Sequence, residues 1–306
     1  MSQKKHRFNY QAGVGVAFPC FPFPNINTMS NENGHWYTLD GQSAHTQVTK
    51  TKGAKPTRPT TIADAKRLGL LPSVSAYTRM LAAPYLERYK MLEVAKACYA
   101  CPPSGDESYD DYARHILEQS SKDGSGAAEV GTQVHAALDL YFTDPIRYNS
   151  YPLIFLQDGS VVPADSFVLP AAAKIKSMGL KVETTESILV NAAYGYAGTT
   201  DMIFTHKNLC GILDFKTKRT KEGEPVISGD SHCMQIAAYH AAYWGAADGE
   251  PIGVNAVGYN VYISTTEIGR VEVVEYSRDE LLEGWSAFKS CCTLYRYIKK
   301  FDPRKK

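Results

Sequence analysis

The chain has 306 residues, with 33 Lys and Arg against 32 Asp and Glu and a formal net charge of +1. Hydrophobic residues make up 44% and charged residues 21%, a globular balance that excludes a disordered chain, a coiled coil and a collagen-like repeat. No run reaches the roughly 18 uncharged apolar residues of a membrane span, MSQKKHRFNY holds no apolar leader core, and the even charge leaves any nucleic-acid site to local residues.

Residues 1–60 read as an irregular N-terminal arm, rich in Pro, Gly and Thr and without helical periodicity. Its Phe18, Phe21 and Phe23 are apolar enough to dock on a core. Lys50, Lys52, Lys55 and Arg58 read as a solvated linker, or alternatively as a phosphate-contacting arm. Residues 61–306 read as one structured domain. Short helices are expected over 61–69, between Thr61 and Gly69, and over 73–82. Pro84 opens a third helix through Tyr99, and 108–120 forms another. The stretch 127–142 is amphipathic, with Val130, Val134, Leu138 and Tyr141 on one stripe. A helix over 165–178 ends at Gly179. The period then changes to that of strands at 181–190, 197–204 and 209–217. A helix over 231–245, strands at 254–264 and 270–276, and a helix over 278–300 capped by Ser277 complete the chain. This order gives a mixed α/β fold, a central mixed sheet flanked by helices, with helical N-terminal additions.

The chemistry concentrates between 186 and 216. Glu186 lies in the first strand of the meander, Asp201 in the second, and Asp214 and Lys216 in the third. Asp214 and Lys216 share one strand face, and Phe215 points to the other. Asp201 and Asp214 span one turn, so paired strands bring their carboxylates together. Acids on an apolar strand are expensive to bury. A divalent cation such as Mg²⁺ compensates that cost, and a cross-strand ion pair with Lys216 compensates it equally well by spacing alone.

Asp201 followed by Asp214–Phe215–Lys216 resembles the core motif of the PD-(D/E)XK nuclease superfamily. Gly131–Thr132–Gln133–Val134–His135 is similar to the G-x-x-x-H helix motif of its RecB-like and phage (lambda-type) exonuclease branch. Glu186 resembles its strand acid, and Gln235…Tyr239 its Q-x-x-x-Y helix motif. The lead-in LLPSVSAYTRMLAAPYLERYK also looks like that of phage-type members, so the resemblance covers about residues 70–245. It implies a restriction-endonuclease-like core and a metal-dependent nuclease using Mg²⁺ or Mn²⁺, most simply an exonuclease on linear double-stranded DNA in recombination or DNA processing. It implies Asp201 and Asp214 as metal ligands, with the Phe215 backbone carbonyl, Glu186 and His135 completing the shell, and Lys216 as the catalytic lysine. Gly131, one turn before His135, would leave room for a metal or a DNA strand. Gln235 and Tyr239 would hold the lysine region or a nucleotide. Lys218, Arg219 and Lys221, just past the strand, suit DNA backbone contact, with a solvated loop as the alternative.

Taken singly, His135 reads equally as a core histidine, and Gln235 with Tyr239 as a polar stripe. Seven Cys without regular spacing suggest a reducing compartment, and the family a cytoplasmic setting in a bacterial or phage-infected cell. Cys98-x-x-Cys101 and Cys291–Cys292 fit the four-cysteine iron–sulfur pattern of some relatives poorly, so no cluster is expected. DNA is the expected partner. A single-strand annealing protein and self-assembly into a homo-oligomer are further partners the family admits, and a membrane is not. The alternatives are a catalytically silent DNA-binding or assembly subunit, an endonuclease, or a single-strand nuclease.

Overall fold

Lys181 to Lys218 supplies three of the five strands of the central sheet. The computed structural model describes residues 34–49, 55–150, 153–207, 209–245 and 251–305, all within the compact unit Asn33–Lys306. Phe18, Phe21, Phe23, Lys50 and Lys52 lie outside the described residues.

Three antiparallel strands form the meander: β7 (Lys181–Asn191), β8 (Tyr196–His206) and β9 (Leu209–Lys218). Helix α7 (Asp230–Tyr243) then crosses over to β10 (Ala256–Ser264), which lies parallel to β9, and β11 (Val271–Tyr276) returns antiparallel at the edge. The order β11-β10-β9-β8-β7 is the expected mixed central sheet. Helix α8 (Arg278–Lys299) follows, started by a capping box at Ser277 and Glu280.

Both faces of the sheet are covered, and residue parity sorts them. Met202, Phe204, Leu213, Phe215 and Val261 pack under α4 (Tyr109–Thr143) and α6 (Asp165–Ser177). Ile203 and Ile212 face the other way, toward α7, α8 and the short α2 (Val74–Thr78). A third helix, α3 (Pro84–Ala100), lies along the first half of α4. Helix α1 (Ile62–Leu68) starts at a Thr61–Asp64 capping box and ends on Gly69 at φ 66°, where a left-handed residue is needed. The remaining short elements are β1 (Trp36–Tyr37), β2 (Thr46–Val48), β3 (Thr57–Pro59), β4 (Leu71–Pro72), α5 (Pro145–Tyr148), β5 (Leu153–Phe155) and β6 (Val161–Pro163).

Two expectations differ from the structure. Residues 108–120 and 127–142 belong to one 35-residue helix, α4, which runs straight through Gly124 and Gly126. Each glycine costs about 1 kcal/mol against alanine in a helix, which α4 absorbs without breaking. Gly126 has a packing reason, since a Cβ there would stand 2.9 Å from Gln157 Cγ. Residues 34–60, expected without regular structure, hold β1–β3, and β1 pairs with β4. Trp36 and Tyr37 are buried, with Trp36 Nε1 donating to Thr60 O at 3.0 Å. Within the expected basic linker, Arg58 grips Asp64 with both Nη atoms, at 2.6 and 2.9 Å. That grip, with the Thr61 amide and hydroxyl, holds the Asp64 carboxyl far below the usual carboxylate range.

Among the described residues no helix is long and apolar enough to cross a membrane. The seat of α7 on β10 depends on Gly258, where a Cβ would stand 2.4 Å from Ile236 Cγ2 and 3.2 Å from Leu281 Cδ2. Gly258→Ala is therefore expected to lower stability by about 1–3 kcal/mol in urea unfolding; an unchanged midpoint would contradict this packing.

Candidate metal centre

The two central strands part company where the acids stand. Pairing of β8 with β9 runs from His206–Leu209 to Met202–Leu213 and goes no further. Beyond it β8 stays with β7 as far as Tyr196, and β9 stays with β10 as far as Lys218. Asp201 and Asp214 are the first residues past this fork. Asp201 Oδ2 accepts the Phe215 amide at 2.6 Å, so the side chain takes an N–H in the gap between the strands.

The fork lets the two faces of the sheet meet. Asp201 shares parity with Ile203, on the α7 side, whereas His135 comes from α4 on the other side. His135 Nδ1 nevertheless lies 3.5 Å from Asp201 Oδ2, with its ring edge-on to Phe215 at 6.2 Å. Gly131 seats this part of α4: a Cβ there would stand 2.9 Å from Thr217 Oγ1. The space expected beside Gly131 for an ion or a DNA strand is thus taken up by Thr217.

Glu186 enters from β7. A register shift between Val182 and Thr184 marks a bulge in that strand. Thr185 faces Met202 and Ser187 faces Thr200, which leaves Glu186 across from Asp201. Glu186 has φ 46°, in the left-handed region that non-glycine residues rarely adopt. Strain of this kind costs of order 1–3 kcal/mol and concentrates at functional sites. Ligand atoms of His135, Glu186 and Asp201 all lie within 4.8 Å of one another, so this group can hold a metal ion. It is the only such group among the described residues. One turn past His135, Asp139 accepts the Thr185 hydroxyl at 2.6 Å and adds negative charge near Glu186.

The group's charges are strongly coupled. Glu186 is exposed as a residue, yet loss of water around its carboxyl, with Asp201 and Asp139 nearby, pushes it up to about 7. Burial works against protonation of His135, but the charge and hydrogen bond of Asp201 outweigh it and raise the imidazole above its ordinary value.

Asp214 stands beside that trio and is bound otherwise. Its Oδ2 receives Lys216 Nζ at 2.6 Å and Asn260 Nδ2 at 3.0 Å. Burial pushes Asp214 up to about 6, with Lys216 pulling down and Asp201 pushing up. Lys216 is raised because its two acids outweigh its burial. Lys216 Nζ also donates to Gln235 Oε1 at 3.0 Å, and Gln235 Nε2 donates to the Tyr239 hydroxyl at 3.3 Å. Gln235 thus contacts the lysine, and Tyr239 contacts Gln235. Tyr239 in turn packs on Gly198, where a Cβ would stand 2.9 Å from its ring.

Asn260 was not visible as a site residue in the sequence. It is fully buried, and the Tyr276 hydroxyl donates to its Oδ1 at 2.8 Å, which fixes its amide nitrogen on Asp214. The signal available was one Asn inside Ala256–Ser264, a strand buried at every position. The basic residues past β9 disperse. Lys218 Nζ donates to Ile227 O at 2.6 Å, Lys221 pairs with Glu224 at 2.8 Å, and exposed Arg219 lines a cleft. Cys98 and Cys101 stand at the end of α3, while Cys291 and Cys292 are buried in the α8 side of the core.

No protein family matches the sequence, nor does any curated protein. Solved structures similar in part include two of low identity. One is a candidate exonuclease from Eubacterium rectale, 13% identical, with a TM-score of 0.38 over 61% of this chain and 74% of that one. The other is SSO0001, 13% identical, with a TM-score of 0.22 over 66% and 84%. At these scores neither bears on the site, which rests on its own geometry.

Glycine fits φ 46° without strain, so Glu186→Gly removes both the strain and the acid. Carboxyls raised to about 7 and about 6, and a raised His135, all bind protons more tightly folded than unfolded. Their stabilisation is present at low pH and lost as pH rises through those values. His232 and His240, lowered to about 4 by burial, and His35, also lowered, have the opposite sign. Unfolded histidine is still half protonated near pH 6.5, so their effect runs on to about pH 7.5, but wild type and Glu186→Gly share it and it cancels in their difference. Without metal, Glu186→Gly should melt no lower than wild type in differential scanning fluorimetry, and its advantage should grow from pH 6.5 to 8. A lower melting temperature with the pH slope of wild type would refute both attributions.

Proposed function

We propose that this chain is a divalent-metal-dependent DNA nuclease that hydrolyses phosphodiester bonds, and that it works as a phage-type exonuclease on linear double-stranded DNA in recombination or DNA processing. The observation that carries the reading is the juxtaposition of a three-residue ligand group with a half-buried ammonium on the neighbouring strand, held by a carboxylate two residues before it.

The donor set fits an ion. Two carboxylates suit Mg²⁺ or Mn²⁺, and the imidazole adds a nitrogen donor that later divalent metals favour. Opposite ligands of an ion bound at about 2.0–2.6 Å stand roughly 4–5 Å apart, which is the span within which all these ligand atoms lie. In this reading Asp201, Glu186 and His135 are ligands. Asp214 joins them through Oδ1, since Oδ2 is taken by Lys216 and Asn260, and the Phe215 carbonyl completes the shell. The bound ion would polarise a phosphoryl oxygen and lower the pKa of its own water.

Lys216 is the catalytic lysine. Asp214 keeps it charged, and Gln235 shares it, so its ammonium is preorganised to offer a hydrogen bond to charge developing on the phosphoryl oxygens. Asn260 retains Asp214 when Lys216 turns to substrate. Lys218, Arg219 and Lys221 contribute to backbone contact. Work beside a strand-annealing protein, or as a ring of copies, belongs to the same reading.

End-labelled linear and circular duplex DNA, each with Mg²⁺ or Mn²⁺, test it. The wild type should degrade linear DNA and spare circles, and Asp214→Ala and Lys216→Ala should each slow this at least about 10²-fold. Cleavage of circles would make the enzyme an endonuclease. DNA binding in EDTA with no cleavage in any divalent metal would leave a binding subunit.

A further inference from the structure

In sheets with parallel strands, ligands gather in the crevice beyond the strands' carboxyl ends. Here β9 and β10 are the parallel pair. Their ends are tied together, with Thr265 N donating to Lys218 O at 3.0 Å and Thr220 N to Thr266 Oγ1 at 2.9 Å. Facing them is α4 with the β5–β6 hairpin fastened to it. Gln133 clamps the Phe155 peptide at both ends, Oε1 accepting its N–H at 2.9 Å and Nε2 donating to its carbonyl at 3.2 Å. Gly126 lets the hairpin's Gln157 come close.

Between these elements lies a cleft of about 320 Å³ lined by Val130, Gln157, Asp158, Arg219, Thr265 and Thr266. Arg219 is exposed and makes no ion pair among the described residues, unlike neighbouring Lys221. The Asp158 carboxylate is turned onto Ser160, accepting from its amide at 2.9 Å and its hydroxyl at 2.6 Å. The cleft thus holds the Arg219 guanidinium, free of an ion pair, and the Asp158 carboxylate, which Ser160 keeps ionised and turned onto its own hairpin. Phe155, 60% exposed, stands on the hairpin beside it.

The cleft lies close to the metal centre. Val130 is five residues before His135 on α4, and Arg219 is three residues past Lys216. Three strand residues span about 10 Å at roughly 3.3 Å each, and about three stacked nucleotides cover the same length at roughly 3.4 Å each. We propose that this cleft is a subsite for a single DNA strand, in which Arg219 takes the phosphate about three nucleotides from the scissile bond and Phe155 stacks on a base beside it. The proposal rests on the nuclease reading.

The test is a methylphosphonate scan. Oligonucleotides carrying one neutral linkage at successive positions are titrated against the protein in EDTA, and the cleaved bond is mapped separately with Mg²⁺. For wild type, a neutral linkage two to four nucleotides from that bond should weaken binding about tenfold. Arg219→Ala should lose the same affinity for unmodified DNA, lose about one unit of salt slope, and be indifferent to that linkage. Phe155→Ala should lose the quenching of a 2-aminopurine placed beside it. Arg219→Ala that binds as tightly as wild type, or keeps wild-type sensitivity to the same linkage, would overturn the subsite and leave the metal centre standing. A wild type that binds no DNA would overturn the subsite and the nuclease reading together.

Discussion

The parting of β8 and β9 after Met202 and Leu213 is the constraint on which the rest of the molecule turns. A continuous ladder would keep His135 of α4 and Asp201 on opposite sides of the sheet. At the fork the Asp201 carboxylate instead occupies the gap and takes the Phe215 amide, within 3.5 Å of the imidazole. Glycines make the surrounding approach possible: Gly131 brings α4 down on β9, and Gly198 admits the Tyr239 ring. The strained backbone at Glu186 completes the group from β7.

Such a concentration of charge needs support in a dry interior, and the structure supplies it in layers. Asp214 is buried, yet two donors reach its Oδ2. Asn260 is held by Tyr276, whose hydroxyl also bonds Ser228, and Ser228 accepts from Tyr262 at 3.0 Å. Tyr262 in turn meets His232 Nδ1 at 2.6 Å. This chain of satisfied groups ties the Asp214–Lys216 pair to the segment leading into α7. Breaking one partner of a buried pair leaves an uncompensated charge, which is far more costly than the pair is stabilising.

Much of the architecture was legible in the sequence, because the period of the apolar pattern switches clearly. The meander follows from the change of period after Gly179, and the final helix from its cap at Ser277. The shared face of Asp214 and Lys216 follows from strand geometry alone. Other features depend on packing that no local pattern carries. Gly124 and Gly126 look like a helix break, yet α4 continues because Gly126 is where Gln157 packs. Trp36 and Tyr37 look like part of an irregular arm, yet they are buried through a pairing with Leu71 and Pro72. Spacing gave no hint that Asp214 would be engaged by Asn260, because the contact joins residues 46 positions apart.

The metal site proposed at the fork consists of His135, Glu186, Asp201 and Asp214. Crystals soaked in Mn²⁺ and measured at a wavelength where manganese scatters anomalously test it directly. One strong anomalous peak is expected, bounded by Asp201, Glu186 and His135, with Asp214 Oδ1 turned toward it. An empty fork at saturating Mn²⁺, or a peak elsewhere with Asp214 still closed on Lys216, would contradict it.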